Sequence, residues 1–352
     1  METKVANLVE ENIDKDIIRE AGNVIKDGGT VVFPTETVYG LGANALDSEA
    51  VKKIFIAKGR PQDNPLIVHV ADFDISPYVK NVPEVAKEIM NKFWPGPITI
   101  IFEKSDIIPE TTSANLSTIG IRMPSNQIAL ELIKASNTPI AAPSANISGR
   151  PSPTDLESCI EDLGGKVNYI LGGNRSEVGL ESTIVDCTSS PLCILRPGGI
   201  TIEMLREIDK DVYIDPTITS KPTKEFKPKA PGMKYRHYAP KAPVKVFKGD
   251  IKKTIAKINE MMLNYIENNK KVGIIATDET IGNYKLGTVV SLGSRKNLED
   301  VAKNLFKVLR SFDHSDVDVI LCEAFTEEGV GLAIMNRLNK SAGFDIINLW
   351  LK

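Results

Sequence analysis

Thr30-Val31-Val32-Phe33-Pro34-Thr35-Glu36-Thr37 is a short apolar run closed by a proline and followed by polar side chains. Four apolar or β-branched residues between a Gly28-Gly29 turn and Pro34 read as a buried strand with a polar exit. Upstream, residues 13–27 read as a helix, so the first unit of this chain is helix, turn, strand. Downstream, Tyr39-Gly40-Leu41-Gly42-Ala43 supplies small residues that permit close backbone approach. Asp47 or Ser48 can cap a helix whose Val51, Ile54 and Phe55 share one face. Gly59 can provide its left-handed stop, and Pro61 prevents its continuation.

The same alternation continues. Asn64-Pro65-Leu66-Ile67-Val68-His69-Val70 is a proline-led strand, and a capped helix is expected around 83–93. Trp94-Pro95-Gly96-Pro97 is a rigid turn into Ile98-Thr99-Ile100-Ile101-Phe102. Ile119-Gly120-Ile121-Arg122 is another strand, 126–135 a helix, and Pro139-Ile140-Ala141-Ala142-Pro143 leads into Ser144-Ala145-Asn146. Further strands are expected at 167–171, 182–186 and 192–196. Short strands alternating with helices indicate an α/β domain, and the prolines argue against a simple doubly wound sheet. Residues 213–243 are rich in proline and lysine and read as an ordered linker containing Tyr235-Arg236-His237-Tyr238-Ala239-Pro240. From 244 to 352 a second α/β pattern begins, with helices near 251–268, 297–312 and 331–341 and strands near 272–276, 288–292 and 317–321. It predicts a small, mostly parallel sheet.

A chain of 352 residues is long enough for two domains, 1–212 and 244–352, joined by the linker. A formal charge of -3 argues against sequence-blind wrapping of nucleic acid, though not against a local basic cleft. Cys159, Cys187, Cys193 and Cys322 lack CxxC spacing, so neither a zinc site nor a disulfide framework is expected. No apolar signal region opens the chain, and a soluble cytoplasmic protein is expected. No GxGxxG or GxxxxGK[ST] loop occurs, so neither usual nucleotide loop is supported.

The chemistry therefore rests on Lys58-Gly59-Arg60-Pro61 and Pro143-Ser144-Ala145-Asn146, both at breaks in regular structure. Two fixed cations beside compact hydroxyl and amide groups suit an anion carrying a polar base or sugar. Each has a purely structural counterpart: Lys58 could snorkel, Arg60 could pair with a surface carboxylate, and His69 could be a core histidine.

Taken together, these motifs resemble the threonylcarbamoyladenylate synthase family in its two-domain Sua5 form, with a YrdC-type catalytic domain. The K-x-R pair is Lys58 and Arg60, and the distal S-x-N pair is Ser144 and Asn146. Phe33-Pro34-Thr35-Glu36-Thr37-Val38-Tyr39-Gly40-Leu41, Asn64-Pro65-Leu66, Trp94-Pro95-Gly96-Pro97, Glu181-Ser182-Thr183 and His237-Tyr238-Ala239-Pro240 complete the set. The resemblance implies a twisted, mixed-sheet α/β catalytic domain followed by a smaller Rossmann-like one. It implies that L-threonine, bicarbonate or CO2, and ATP give threonylcarbamoyl-AMP and pyrophosphate. The product would feed modification of adenosine 37 in tRNA, the final transfer being made by a separate threonylcarbamoyl transferase complex. Direct tRNA binding stays open.

By the same resemblance Lys58 and Arg60 are the catalytic phosphate contacts, with Ser144, Asn146 and Arg196 completing the nucleotide site. Thr35, His69, Arg122 and Ser182 are the threonine pocket, and Tyr235, His237 and Tyr238 a gate on the linker. Mg2+ would arrive on the ATP phosphates without a direct protein ligand. Two other readings are an RNA-binding scaffold and a carbamoyl transferase fed by carbamoyl phosphate. The charge balance and absence of an RRM or KH signature weaken the first, and missing zinc-finger and acylphosphatase-like modules weaken the second.

Overall fold

A computed structural model describes residues 2–218, 228, 230–231 and 237–350. The chain divides into two units, Met1–Ser148 with Ser152–Lys234, and Gly149–Pro151 with Tyr235–Lys352.

Among the described residues of the first unit, eleven strands form one twisted, mixed sheet. They are β1 (Lys4–Asn7), β2 (Val31–Phe33), β3 (Gly40–Asn44), β4 (Ile67–His69), β5 (Ile98–Glu103) and β6 (Thr118–Arg122). The others are β7 (Ile140–Ala142), β8 (Tyr169–Gly172), β9 (Thr183–Asp186), β10 (Cys193–Arg196) and β11 (Tyr213–Ile214). Their order is β1-β8-β2-β3-β7-β4-β6-β5-β9-β10-β11. β3 runs antiparallel to both β2 and β7, and β7 antiparallel to β4, so the sheet is not doubly wound. The sheet runs on to β11, paired in parallel with β10, at the point where the sequence reading begins the linker.

Period-2 alternation covers the sheet on both faces. Val32, Leu41, Ala141 and Ile170 pack with α2 (Ser48–Lys58), α3 (Glu84–Phe93) and α6 (Leu156–Leu163). The alternate residues Val31, Phe33, Ile140, Tyr169 and Leu171 pack with α1 (Lys15–Lys26) and α5 (Gln127–Ser136). The short helices α4 (Glu110–Ser113) and α7 (Ile202–Leu205) complete this unit. The expected caps of α2 are present: Asp47 accepts from the Glu49 and Ala50 amides, and Gly59 ends the helix at φ 60°. The capped start expected for α3 is not. Pro83 occupies that position and offers no side-chain hydrogen bond to the first turn.

β3, read only as a run of small residues, is a strand because Gly42 makes room for its neighbours. A Cβ there would lie 2.5 Å from Ile140 Cγ2 and 2.8 Å from Phe33 Cε1. β1 and α6 had no counterpart in the sequence reading.

The second unit is a parallel sheet of β12 (Val244–Lys248), β13 (Val272–Ala276), β14 (Thr288–Ser291), β15 (Val319–Glu323) and β16 (Ile346–Asn348). Their order is β14-β13-β15-β12-β16, every neighbouring pair parallel. α8 (Ile251–Glu267), α9 (Leu298–Ser311) and α10 (Val330–Ser341) are its helices. Phe247, Ile258, Met262, Ile274 and Leu321 form its core. Gly149–Pro151 packs with this unit although its neighbours in sequence belong to the first. The Ala239 amide donates to Gly149 O at 2.9 Å, and Arg310 Nε donates to Pro151 O at 3.1 Å.

All four cysteines are buried. No helix among the described residues is long and apolar enough to cross a membrane.

Candidate active site

The helix stop at Gly59 decides where the two cations go. Lys58 lies in the last turn of α2, one heptad after Val51, and is carried inward with the apolar stripe to 1% exposure. A buried ammonium needs acceptors. Its Nζ finds two backbone carbonyls, Ser144 O and Asn146 O, each at 2.5 Å. The Ser148 amide answers by donating to Lys58 O at 2.9 Å. Within this loop Ser144 Oγ donates to Asn146 Oδ1 at 2.5 Å, and Asn146 Nδ2 donates to Ile147 O. Arg60, beyond the stop, reaches the carbonyls of Asn64 and Pro65 with Nη2 at 3.4 and 3.3 Å. The K-x-R and S-x-N motifs are therefore brought together. The second motif is also fastened to the exit of the opening strand, because Ala145 donates to Tyr39 O and Ser144 bridges Gly40.

The second cluster gathers around Arg122 at the end of β6. Thr35 turns the chain: its Oγ1 donates to Val38 O at 2.5 Å and accepts from the Thr37 and Val38 amides. That turn directs Thr37 Oγ1 onto Arg122 Nη1 at 2.9 Å and Glu36 Oε1 onto Arg122 Nη2 at 2.7 Å. Arg122 Nε donates to Gly96 O at 3.4 Å. His69 pairs with Arg122 across parallel strands and lies edge-on to Phe33, with ring centroids 6.0 Å apart. Burial, with the Arg122 charge adding to it, pulls the His69 imidazole down to about 3. Its Nδ1 faces the Ile67 carbonyl at 3.2 Å, and the Ile140 backbone also hydrogen-bonds the ring.

Ser182 joins the clusters through its neighbours. Its Oγ meets Thr99 Oγ1 at 2.7 Å on β5, the strand beside β6. Arg196 holds it from the other side, with Nε to Ser182 O at 2.9 Å and Nη2 to Ser182 Oγ at 3.0 Å. A residue expected on the amino-acid side and one expected on the nucleotide side thus touch directly. Gly198 keeps this corner tight, since a Cβ there would come within 2.4 Å of the Thr183 amide nitrogen.

Glu36, Thr37 and Thr99 were not singled out by sequence reasoning. Glu36 and Thr37 lay inside the opening stretch, where they read only as a polar exit. Thr99, fully buried in an otherwise isoleucine-rich strand, was a legible signal. Of the expected gate, Tyr235 lies outside the described residues. His237 and Tyr238 stack on each other, and Tyr238 packs on Phe306 with Arg337 over its ring, all within the second unit.

Comparison with known proteins identifies the family. The family described as "Telomere recombination" matches residues 23–198, and "Threonylcarbamoyl-AMP synthase, C-terminal domain" matches 200–343. The threonylcarbamoyl-AMP synthase of Pyrococcus abyssi is 47% identical over 342 residues, covering 97% of this chain and 98% of that one. The Bacillus subtilis threonylcarbamoyl-AMP synthase is 45% identical, covering 94% of each. The crystal structure of P. abyssi Sua5 complexed with L-threonine superposes with a TM-score of 0.93 at 46% identity, covering 99% of this chain and 100% of that one. The chain belongs to the two-domain, Sua5/YrdC-type threonylcarbamoyl-AMP synthase family.

Proposed function

We propose that this site condenses L-threonine, bicarbonate or CO2, and ATP into threonylcarbamoyl-AMP and pyrophosphate, the nucleotidyl transfer of its family, for the t6A modification of tRNA. One observation carries the reading: Lys58 seated on the Ser144–Asn146 loop, its Nζ donating to the carbonyls of both motif residues.

The threonine amine, once deprotonated, adds to CO2 and becomes a carbamate. A carbamate oxygen then attacks the α-phosphorus, forming the P–O bond of the mixed anhydride as the bond to the leaving pyrophosphate breaks. No protein nucleophile is needed. The site supplies orientation and charge stabilisation. In this reading Lys58 and Arg60 stabilise the transferring phosphate, while Ser144, Asn146 and Arg196 orient the nucleotide. Thr35, His69, Arg122 and Ser182 form the threonine pocket, the planar Arg122 taking the carboxylate. Its methyl-sized discrimination against serine would be about 1–3 kcal/mol.

The donors gathered here are ammonium, guanidinium, hydroxyl and amide groups, which fit phosphate oxygens. Magnesium carried on the ATP phosphates would reduce their charge repulsion and ease pyrophosphate departure. The linker around Tyr235, His237 and Tyr238 would limit hydrolysis of the product before its hand-off to the tRNA threonylcarbamoyl transferase complex in the cytoplasm.

The test is incubation with threonine, bicarbonate, ATP and magnesium, without RNA. Threonylcarbamoyl-AMP and pyrophosphate are expected together. Absence of both, with ATP shown to be bound, overturns the reading.

A further inference from the structure

Arg122 is 4% exposed, and each of its three nitrogens already has a partner: Nε on Gly96 O, Nη1 on Thr37 Oγ1 and Nη2 on Glu36 Oε1. A guanidinium carries five N–H groups. One engaged at each nitrogen leaves one N–H on each terminal nitrogen, the complement of an end-on carboxylate.

Among the described residues Glu36 is the carboxylate that pairs with this arginine, and it makes the shortest of its three contacts, at 2.7 Å. Glu36 is itself 6% exposed, and its second oxygen, Oε2, has no hydrogen-bond partner. A buried ion pair with an unmet oxygen is a poor device for stability, since an apolar pair of the same volume often does as well or better. Its geometry is nevertheless tightly fixed. The Thr35–Val38 turn holds it from within, Ser176 Oγ donates to Thr35 O at 2.9 Å, and the Val178 amide donates to Glu36 O at 2.8 Å. The neighbouring His69, neutral in the folded protein, adds no competing charge.

We propose that Glu36 is a positioning residue for the amino-acid substrate: it fixes the plane of the Arg122 guanidinium so that the two remaining terminal N–H groups meet the substrate carboxylate. The assignment rests on the threonine-pocket reading and adds to it a residue that need not touch substrate.

The experiment compares the full chain with Glu36→Ala and Glu36→Gln. It reads KM for threonine, KM for ATP, and inhibition by threoninol, in which the carboxylate is replaced by an alcohol. In Glu36→Ala the threonine KM should rise about tenfold or more, the scale of a charge-assisted hydrogen bond. The ATP KM should stay within about twofold, and the preference for threonine over threoninol should shrink by the same factor as the threonine KM rises. Glu36→Gln keeps an oxygen of the same reach and should recover most of the loss. An unchanged threonine KM overturns the proposal. So does a parallel rise in both KM values, or equal weakening of threonine and threoninol. If Glu36→Ala fails to fold, Glu36→Gln carries the comparison: a rise of about threefold confined to threonine supports the proposal, and none overturns it. A parent chain that makes no threonylcarbamoyl-AMP overturns the reaction instead, and threonine binding by calorimetry then reads the role of Glu36.

Discussion

Lys58 and Arg60 stand two residues apart yet do different work. Lys58 holds the loop of Ser144 and Asn146 by its backbone, whereas Arg60 lies past the helix stop on the Asn64–Pro65 carbonyls. Lys58→Met keeps the apolar stem but removes both donors, so it should lower the unfolding midpoint and raise the ATP KM together. Arg60→Ala should impair adenylate formation with little change in the unfolding midpoint, and denaturant melts beside steady-state assays check the contrast. His69 makes a pH prediction. Its folded pKa, about 3, lies below the ordinary 6.5, so between those values the unfolded chain binds more protons. Its contribution is complete above about pH 6.5 and declines as pH falls towards 3, with a slope of up to about 1.4 kcal/mol per unit. His69→Gln should flatten that part of a stability-versus-pH curve. The convergence of the two motifs was legible because both punctuate regular structure with special residues. The hold of Glu36 on Arg122 was not, since the partners are 86 residues apart and neither one's local sequence points to the other.

Elements were legible where a strand or helix carries its own pattern. α1, α2, β2 and β5 announce themselves by periodicity and by their stops. β3 does not: its glycines look like a loop, and only the Phe33 ring and Ile140 pressing on Gly42 explain them. Gly42→Ala should therefore overpack the junction of β2, β3 and β7 and cost about 1–3 kcal/mol, read as a lower urea midpoint. β1 and β16 were missed because each is a short edge strand of three or four residues, and β12 because its five residues follow a proline-rich approach. The cap expected on α3 failed for a simpler reason, since Pro83 has no polar side chain to donate or accept.

On the scale of the whole molecule, alternation of strand and helix in the second half predicted a mostly parallel sheet, and all its pairings are parallel. Strand order in the first half was beyond sequence, because β8 entering between β1 and β2 is decided by long-range pairing alone. A chain ending at residue 212 would lack the Ala239 amide and Arg310, the donors to Gly149 O and Pro151 O. It should bind ATP more weakly than the full chain by calorimetry. Equal affinity would mean that the contacts of Lys58 and Tyr39 set the loop unaided.

That tripeptide also has a history in time. Pro151 leaves the ribosome 159 residues before Arg310 does, and at about 5–20 residues per second the interval is roughly 8–30 s. During it, the Pro151 carbonyl lacks the Arg310 donor that it meets in the finished chain, an interval that spans nearly half of the chain's own synthesis.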